Sequence, residues 1–312
     1  MESYQKDLIE KGYAIIPGVL NQSEIDNYTR DFTHWKKTIS DDFHKKVSPH
    51  GIFKYHEVGH QKFAWTIRLN KNVQNVFKKL WSTEELVVSF DGYCHIPKTW
   101  KNKDNIWTHC DQDGKIDDLE CYQGFVSMTD NEERTFVVYE GSHKIQYTYL
   151  KEHKEQKIKE LNAKLEDGSI SEVFHTKELK KIKKNTAWNL IDHAYLREIE
   201  DQKRVLKVKK GDMVIWDSRA FHQNQYGKPE SEERLVQYIS FLPKNGKGNT
   251  ESMKKKRRKY FNEKRTTSHW AYPIRVNGLQ PQTYGDRSRM IDYESLPTIE
   301  LDDLEEKIIE LL

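Results

Sequence analysis

The spacing of apolar positions divides the chain into stretches of helical and strand-like period. Tyr13-Ala14-Ile15-Ile16 is a short strand-like run closed by Pro17-Gly18. Behind it Ile25, Tyr28, Phe32 and Trp35 recur at helical spacing. Asn21 offers an N-cap and Glu24, three residues on, completes a capping box. Residues 1–40 therefore read as helix, strand, helix. The period then shortens. Trp65-Thr66-Ile67-Arg68 reads as strand-like, and Leu86-Val87-Val88-Ser89-Phe90 as a strand closed by the turn Asp91-Gly92. Gln123-Gly124-Phe125-Val126-Ser127-Met128 and Thr135-Phe136-Val137-Val138-Tyr139 follow, separated by Asp130-Asn131. Short strands punctuated by turns predict a mainly β chain with flanking helices, an antiparallel barrel or jelly roll.

Residues 150–204 break this pattern. Leu150, Ile158, Leu161 and Leu165 stand at helical intervals in a highly charged segment that Asp167-Gly168 stops. The stretch reads as a helical insertion on the barrel. Strands resume at Val205–Val208, Met213–Trp216 and Val236–Phe241, and 250–312 forms a helical extension closed by an amphipathic helix over Leu301–Leu312. With no repeat, low-complexity linker or clear boundary, residues 1–312 are expected to form one domain. A chain of 312 residues can bury its core without disulfide or metal staples.

Composition narrows the function classes. Lys plus Arg number 52 against 49 Asp plus Glu, a net +3, so no global nucleic-acid or membrane footprint exists. No apolar run is long enough to span a membrane, and Met1-Glu2-Ser3-Tyr4-Gln5-Lys6-Asp7 has no signal core. Cys94, Cys110 and Cys121 form neither a disulfide framework nor a Cys-x-x-Cys zinc site. A cytoplasmic location is expected, with a nuclear one compatible.

The candidate chemistry lies among the 13 histidines. His109-x-Asp111 places two donor side chains on one side of a strand. Downstream, Gly211-Asp212 opens the strand Met213–Trp216, and His222 follows just past its end. Twelve residues further, Arg234 opens the next strand, expected to run back antiparallel and return the arginine to the His222 end. Two imidazoles and one carboxylate on rigid strands suit iron(II) with open positions. An adjacent arginine suits bidentate grip of a carboxylate, such as the far end of a 2-oxo acid chelating that metal.

The order His109-x-Asp111, Gly141-Ser142-His143-Lys144, Gly211-Asp212-Met213-x-x-Trp216-Asp217, His222 and Arg234 resembles the phytanoyl-CoA dioxygenase-like family. The likeness extends to Gly12–Leu20 and to Val88-Ser89-Phe90-Asp91-Gly92. In the tail, Arg265-Thr266-Thr267-Ser268-His269-Trp270 looks like one sub-branch of that family. The resemblance implies a double-stranded β-helix (cupin-like jelly roll) and an iron(II)- and 2-oxoglutarate-dependent dioxygenase that uses O2, most simply to hydroxylate a small molecule. It implies that His109, Asp111 and His222 hold Fe(2+), and that Arg234 binds the distal carboxylate of 2-oxoglutarate. Family members often carry a small hydroxyl residue two positions after the second metal histidine; here it is Asn224, a cosubstrate contact. Halogenases of this type leave the carboxylate position vacant, and here Asp111 fills it. Rival readings are a nucleic-acid- or protein-modifying oxygenase and a non-catalytic binding protein on the same scaffold.

Other residues are weighed individually. Asp91 and Tyr93, near the expected barrel mouth, and Arg68, an arginine that needs an anionic partner if buried, are candidate substrate contacts. His143 reads as a structural loop histidine, Trp107 and Trp216 as core and wall, and Cys110 as packing directed away from the metal. The basic run Lys254-Lys255-Lys256-Arg257-Arg258-Lys259 is read as a solvated helix face, so nucleic acid is not expected as a partner.

Overall fold

The computed structural model describes residues 1–101, 104–301 and 303–312. Two antiparallel sheets form its centre. One has six strands in the order Tyr13–Ile16, Met213–Asp217, Tyr122–Ser127, Arg234–Ile239, Tyr93–Ile96, Ile52–Phe53. The other has five, in the order Asn189–Leu190, His109–Cys110, His222–Asn224, Phe136–Tyr139, Lys203–Val205. A two-stranded ribbon pairs Phe241–Pro243 with Leu86–Val88. The architecture is the expected mainly β jelly roll.

Side-chain alternation explains the layers. On the strand Tyr122–Ser127, Phe125 points between the sheets, where it packs with Phe136, Val214, Trp216 and Val236. Its neighbour Val126 points outward, into a larger core under the helices that holds Tyr28, Phe32, Phe63, Trp65 and Phe77. The helix Gln22–Lys36 begins as the sequence predicts: Asn21 Oδ1 accepts from the Glu24 amide (3.0 Å) and Glu24 accepts from the Asn21 amide (2.8 Å). A third cluster on the far side of the five-stranded sheet joins Cys110, Tyr139 and Phe221 to Tyr149, Leu196 and Ile199.

Several elements differ from expectation. Trp65 to Arg68 is not a strand but lies in the helix Lys62–Arg68, and a second helix, Lys71–Trp81, follows, capped by Asn70. Phe63, Ala64, Trp65, Ile67 and Arg68 are all buried and only Lys62 and Thr66 are exposed, so a run this short shows too little of its polar face to set a helical period. The segment after residue 145 is helical over Gln146–Glu166, Glu172–Lys183 and His193–Glu198, but it also gives the five-stranded sheet both of its edges, Asn189–Leu190 and Lys203–Val205. The strand expected at Val205–Val208 ends at Val205; Val208 makes only a bridge to Asn131. The final helix is confined to Glu305–Glu310, with Leu301 packed into the core ahead of it. Among the described residues, no helix is long and apolar enough to cross a membrane.

The basic run lies in the helix Glu251–Asn262 with Lys255, Lys256, Arg258 and Lys259 exposed. Arg257 is the exception. It is fully buried and donates to Leu312 O (2.7 Å), Ala271 O (2.9 Å) and Asn249 Oδ1 (2.7 Å), tying three parts of the tail together. Arg257→Ala strands all three acceptors and is expected to lower unfolding stability by about 3 kcal/mol or more. Chemical denaturation checks this; an unchanged midpoint would show that the tail is held without Arg257.

Candidate metal centre and its cavity

Backbone register brings the two histidines together. His109 and His222 are direct Cα partners on adjacent antiparallel strands, which places their rings on one face with centroids 4.4 Å apart. The Asp111 amide donates to Ser218 O (2.9 Å), which extends the chain past the strand His109–Cys110. Its carboxylate Oδ2 then stands 3.7 Å from His109 Nε2 and 3.3 Å from His222 Nε2. Cys110, between them, points the opposite way into the outer cluster, as strand parity requires.

The imidazoles are locked. His109 Nδ1 lies 3.1 Å from Trp107 O, and His222 Nδ1 lies 2.9 Å from Ala220 O. A carbonyl only accepts, so each Nδ1 carries the proton and each Nε2 presents a lone pair. One donor atom from each of His109, Asp111 and His222 lies within 4.8 Å of the others. Two nitrogen lone pairs and a carboxylate thus converge on one point, which is unfavourable without a cation and fits a facial triad. Burial, with His109 adding to it, pushes the His222 imidazole down and keeps it neutral as a ligand must be. Gln123 Nε2 donates to Asp111 Oδ2 (3.1 Å), orienting the carboxylate.

The triad borders a cavity of about 210 Å³ between the sheets. Trp107 stacks on His109 at 4.9 Å, and Phe136 on His222 at 5.4 Å. Trp216 completes the wall 5.3 Å from His222. Trp188, from the insertion, lies 5.6 Å from His109.

Arg234 opens the strand Arg234–Ile239 as expected, but that strand is not paired with the one carrying His222. It belongs to the six-stranded sheet, and Arg234 meets Asn224 across the interior: Nη2 donates to Asn224 Oδ1 (3.1 Å), Nη1 to Arg134 O (3.2 Å). Its Nε has no partner, and among the described residues no carboxylate pairs with it. Asn224 Nδ2 donates to Tyr238 Oη (2.8 Å), and both side chains line the cavity, whereas Arg234 stands behind Asn224 and is not itself one of the lining residues. A fully buried cation without an anion fits a site that receives a carboxylate.

The other sequence candidates separate. Asp91 lines the cavity. Its Oδ2 accepts from Ser89 Oγ (3.0 Å), and burial pushes its carboxyl up to about 7. Tyr93 does not reach the cavity: it is buried in an aromatic cluster with Phe32, Trp35, Phe53 and His44. Arg68 does not either. It stacks on Trp65 and donates to the carbonyls of Gly59 (2.6 Å) and Asp91 (2.9 Å), so its partners are main-chain oxygens where a carboxylate was expected. His143 is a loop histidine with Nε2 on Ile9 O (3.1 Å). Residues not anticipated in the cavity are Gln123, Ser268 and His269. The last two lie in the tail motif, which signalled kinship without showing where the tail docks.

Comparison with known proteins agrees with this fold. A relative from Aspergillus versicolor, "Ava biosynthesis cluster protein O", is 26% identical over 258 residues, 77% of each chain. HygX from Streptomyces hygroscopicus, solved with nickel and 2-oxoglutarate bound, shares the fold with a TM-score of 0.51 at 13% identity, covering 78% of this chain and 88% of that one. The family model for phytanoyl-CoA dioxygenase (PhyH) matches residues 8–225, a span that begins in the first helix and takes in all three residues of the triad; the chain belongs to this family of iron(II)- and 2-oxoglutarate-dependent oxygenases.

Proposed function

We propose that the protein hydroxylates a small-molecule substrate, with Fe(2+) held by His109, Asp111 and His222 and with 2-oxoglutarate as cosubstrate. The observation that carries this reading is the convergence of three locked donor atoms within 4.8 Å. When bound, iron and 2-oxoglutarate together supply the oxidising chemistry: O2 is reduced with electrons from decarboxylation to succinate and CO2 and from the substrate C–H bond. The chain supplies position and dryness. The main-chain carbonyls of Trp107 and Ala220 hold the rings, and Gln123 holds the carboxylate. Arg234 would neutralise the distal carboxylate of the cosubstrate, with the Asn224 amide beside it. Trp107, Phe136 and Trp216 keep water off the metal face. The name of the Aspergillus relative, a biosynthesis cluster protein, supports a small-molecule substrate.

Purified chain is expected to bind one manganese(II) or iron(II) and, with iron(II), to release succinate from 2-oxoglutarate slowly on its own and faster with substrate. A metabolite pool screened by succinate release tests the reading. Succinate formation that persists after the metal is chelated would overturn it.

A further inference from the structure

The proposed cofactors account for the triad and Arg234 but leave four buried polar atoms on the cavity wall without partners; one, Trp216 Nε1, belongs to the wall beside His222, and the other three gather outside the metal face. Ser268 Oγ, His269 Nε2 and Asp91 Oδ1 are each buried without a hydrogen-bond partner, and all three side chains line the cavity. Buried polar groups are almost always paired.

The segment carrying Ser268 and His269 lies beyond the residues matched by the family model and is clamped in place. The Thr267 amide donates to Phe90 O (3.0 Å), and the Phe90 amide donates to Thr267 Oγ1 (2.9 Å). The Gly59 amide donates to Thr266 Oγ1 (3.1 Å). The Ser268 amide donates to Arg275 O (2.9 Å) and the Asn277 amide to Thr266 O (3.0 Å), closing a loop over the cavity. The His269 ring packs on Trp270 at 5.1 Å. The segment is therefore pinned through Thr267 to Phe90, the residue that precedes Asp91.

We infer that Ser268 and His269, together with Asp91, form a recognition face for a hydroxyl group of the substrate. The inference rests on the oxygenase reading for placing that substrate beside the metal. A hydroxyl matches the set because it both donates and accepts: it donates to Asp91 Oδ1 and accepts from Ser268 or His269. A bare hydrocarbon would leave all three groups unpaired. Sites that hydrogen-bond a substrate hydroxyl reject analogues lacking it far more strongly than apolar pockets reject a missing methylene. The tail then selects which metabolite enters, while the strands carry the metal.

Benzyl alcohol and its deoxy analogue toluene serve as probes, titrated by saturation-transfer NMR against the full chain loaded with zinc(II) and 2-oxoglutarate. Ser268→Ala, His269→Phe and Asp91→Asn are each expected to weaken benzyl alcohol roughly five- to tenfold while changing toluene by less than about twofold. Ser268→Thr, which keeps the hydroxyl, is expected to retain most of the affinity, and it keeps the test decisive should His269→Phe unfold the tail. Equal losses for both probes, no loss for either, or no binding of benzyl alcohol to the wild type would overturn the inference. Zinc(II) and 2-oxoglutarate affinities are measured on the same samples. Their absence in the wild type would refute the oxygenase reading, whereas the alcohol-against-toluene pattern, repeated on the metal-free chain, decides the recognition face separately.

Discussion

His222→Ala is expected to abolish both stoichiometric metal binding and turnover. The substitution removes one of three donor atoms and leaves His109 and Asp111, whose facing atoms lie 3.7 Å apart, as a pair of donors. Two ligands do not hold a first-row divalent metal against water at neutral pH with facial geometry. His109→Ala and Asp111→Ala are expected to behave alike. The fold should survive, because the ladder at His222 is made by the main chain, through its pairing with His109 and Val138. Calorimetric titration with manganese(II) and succinate release with iron(II) are the measurements. Full activity in His222→Ala would end the metal reading.

Arg234→Ala should separate cosubstrate binding from metal binding. The wild-type guanidinium is buried, sits over Phe125 at 5.0 Å and has no anionic partner among the described residues. If it receives the distal carboxylate of 2-oxoglutarate, its loss costs on the order of 2–5 kcal/mol. That is roughly 30-fold or more in affinity, read as a raised Km for 2-oxoglutarate at unchanged manganese(II) affinity. Arg234→Lys should recover only part, since lysine keeps the charge and loses the fork. The competing role is structural: Arg234 also donates to Arg134 O and Asn224 Oδ1, so alanine could act through stability alone. In that case thermal stability falls and the Km stays where it was.

The sequence disclosed the parts of the fold whose signals are local. The capping box at Asn21 and Glu24, the breaks around residues 130 and 141, and the apolar strands at 123–128 and 213–216 all depend on neighbours within a few residues, whereas the turn expected at Asp91-Gly92 is an extended link between strands of different sheets. The helix Lys62–Arg68 escaped because it is short and mostly buried, with only Lys62 and Thr66 exposed to mark a period. The triad was legible because two of its members lie two residues apart, one on a strand and one just past its end, and the third begins another strand. The pairing of the arginine's strand was not, since nothing in a run of apolar residues says which of two sheets it joins. Arg68 and Tyr93 failed for a related reason: a polar residue near a site in sequence can spend its polarity on a carbonyl or bury its ring in aromatic packing, and only the packing reveals which. His269 and Ser268 lie more than 40 residues from the nearest ligand in sequence, so their arrival at the cavity depends wholly on how the tail docks.

The pairing of Asn189–Leu190 with His109–Cys110 has a consequence for solubility. Without it, the ligand-bearing strand would be the edge of the five-stranded sheet, with unpaired amides and carbonyls beside Trp107 and Cys110. Open edges of that kind recruit strands from other molecules. The main chain of the insertion seals this one, since Cys110 pairs with Asn189, His109 with Leu190, and the Ile191 amide donates to Thr108 O at 2.9 Å. The sheet's open side is thereby moved one strand away from the metal ligands, onto a strand of two residues, too short to template a neighbour.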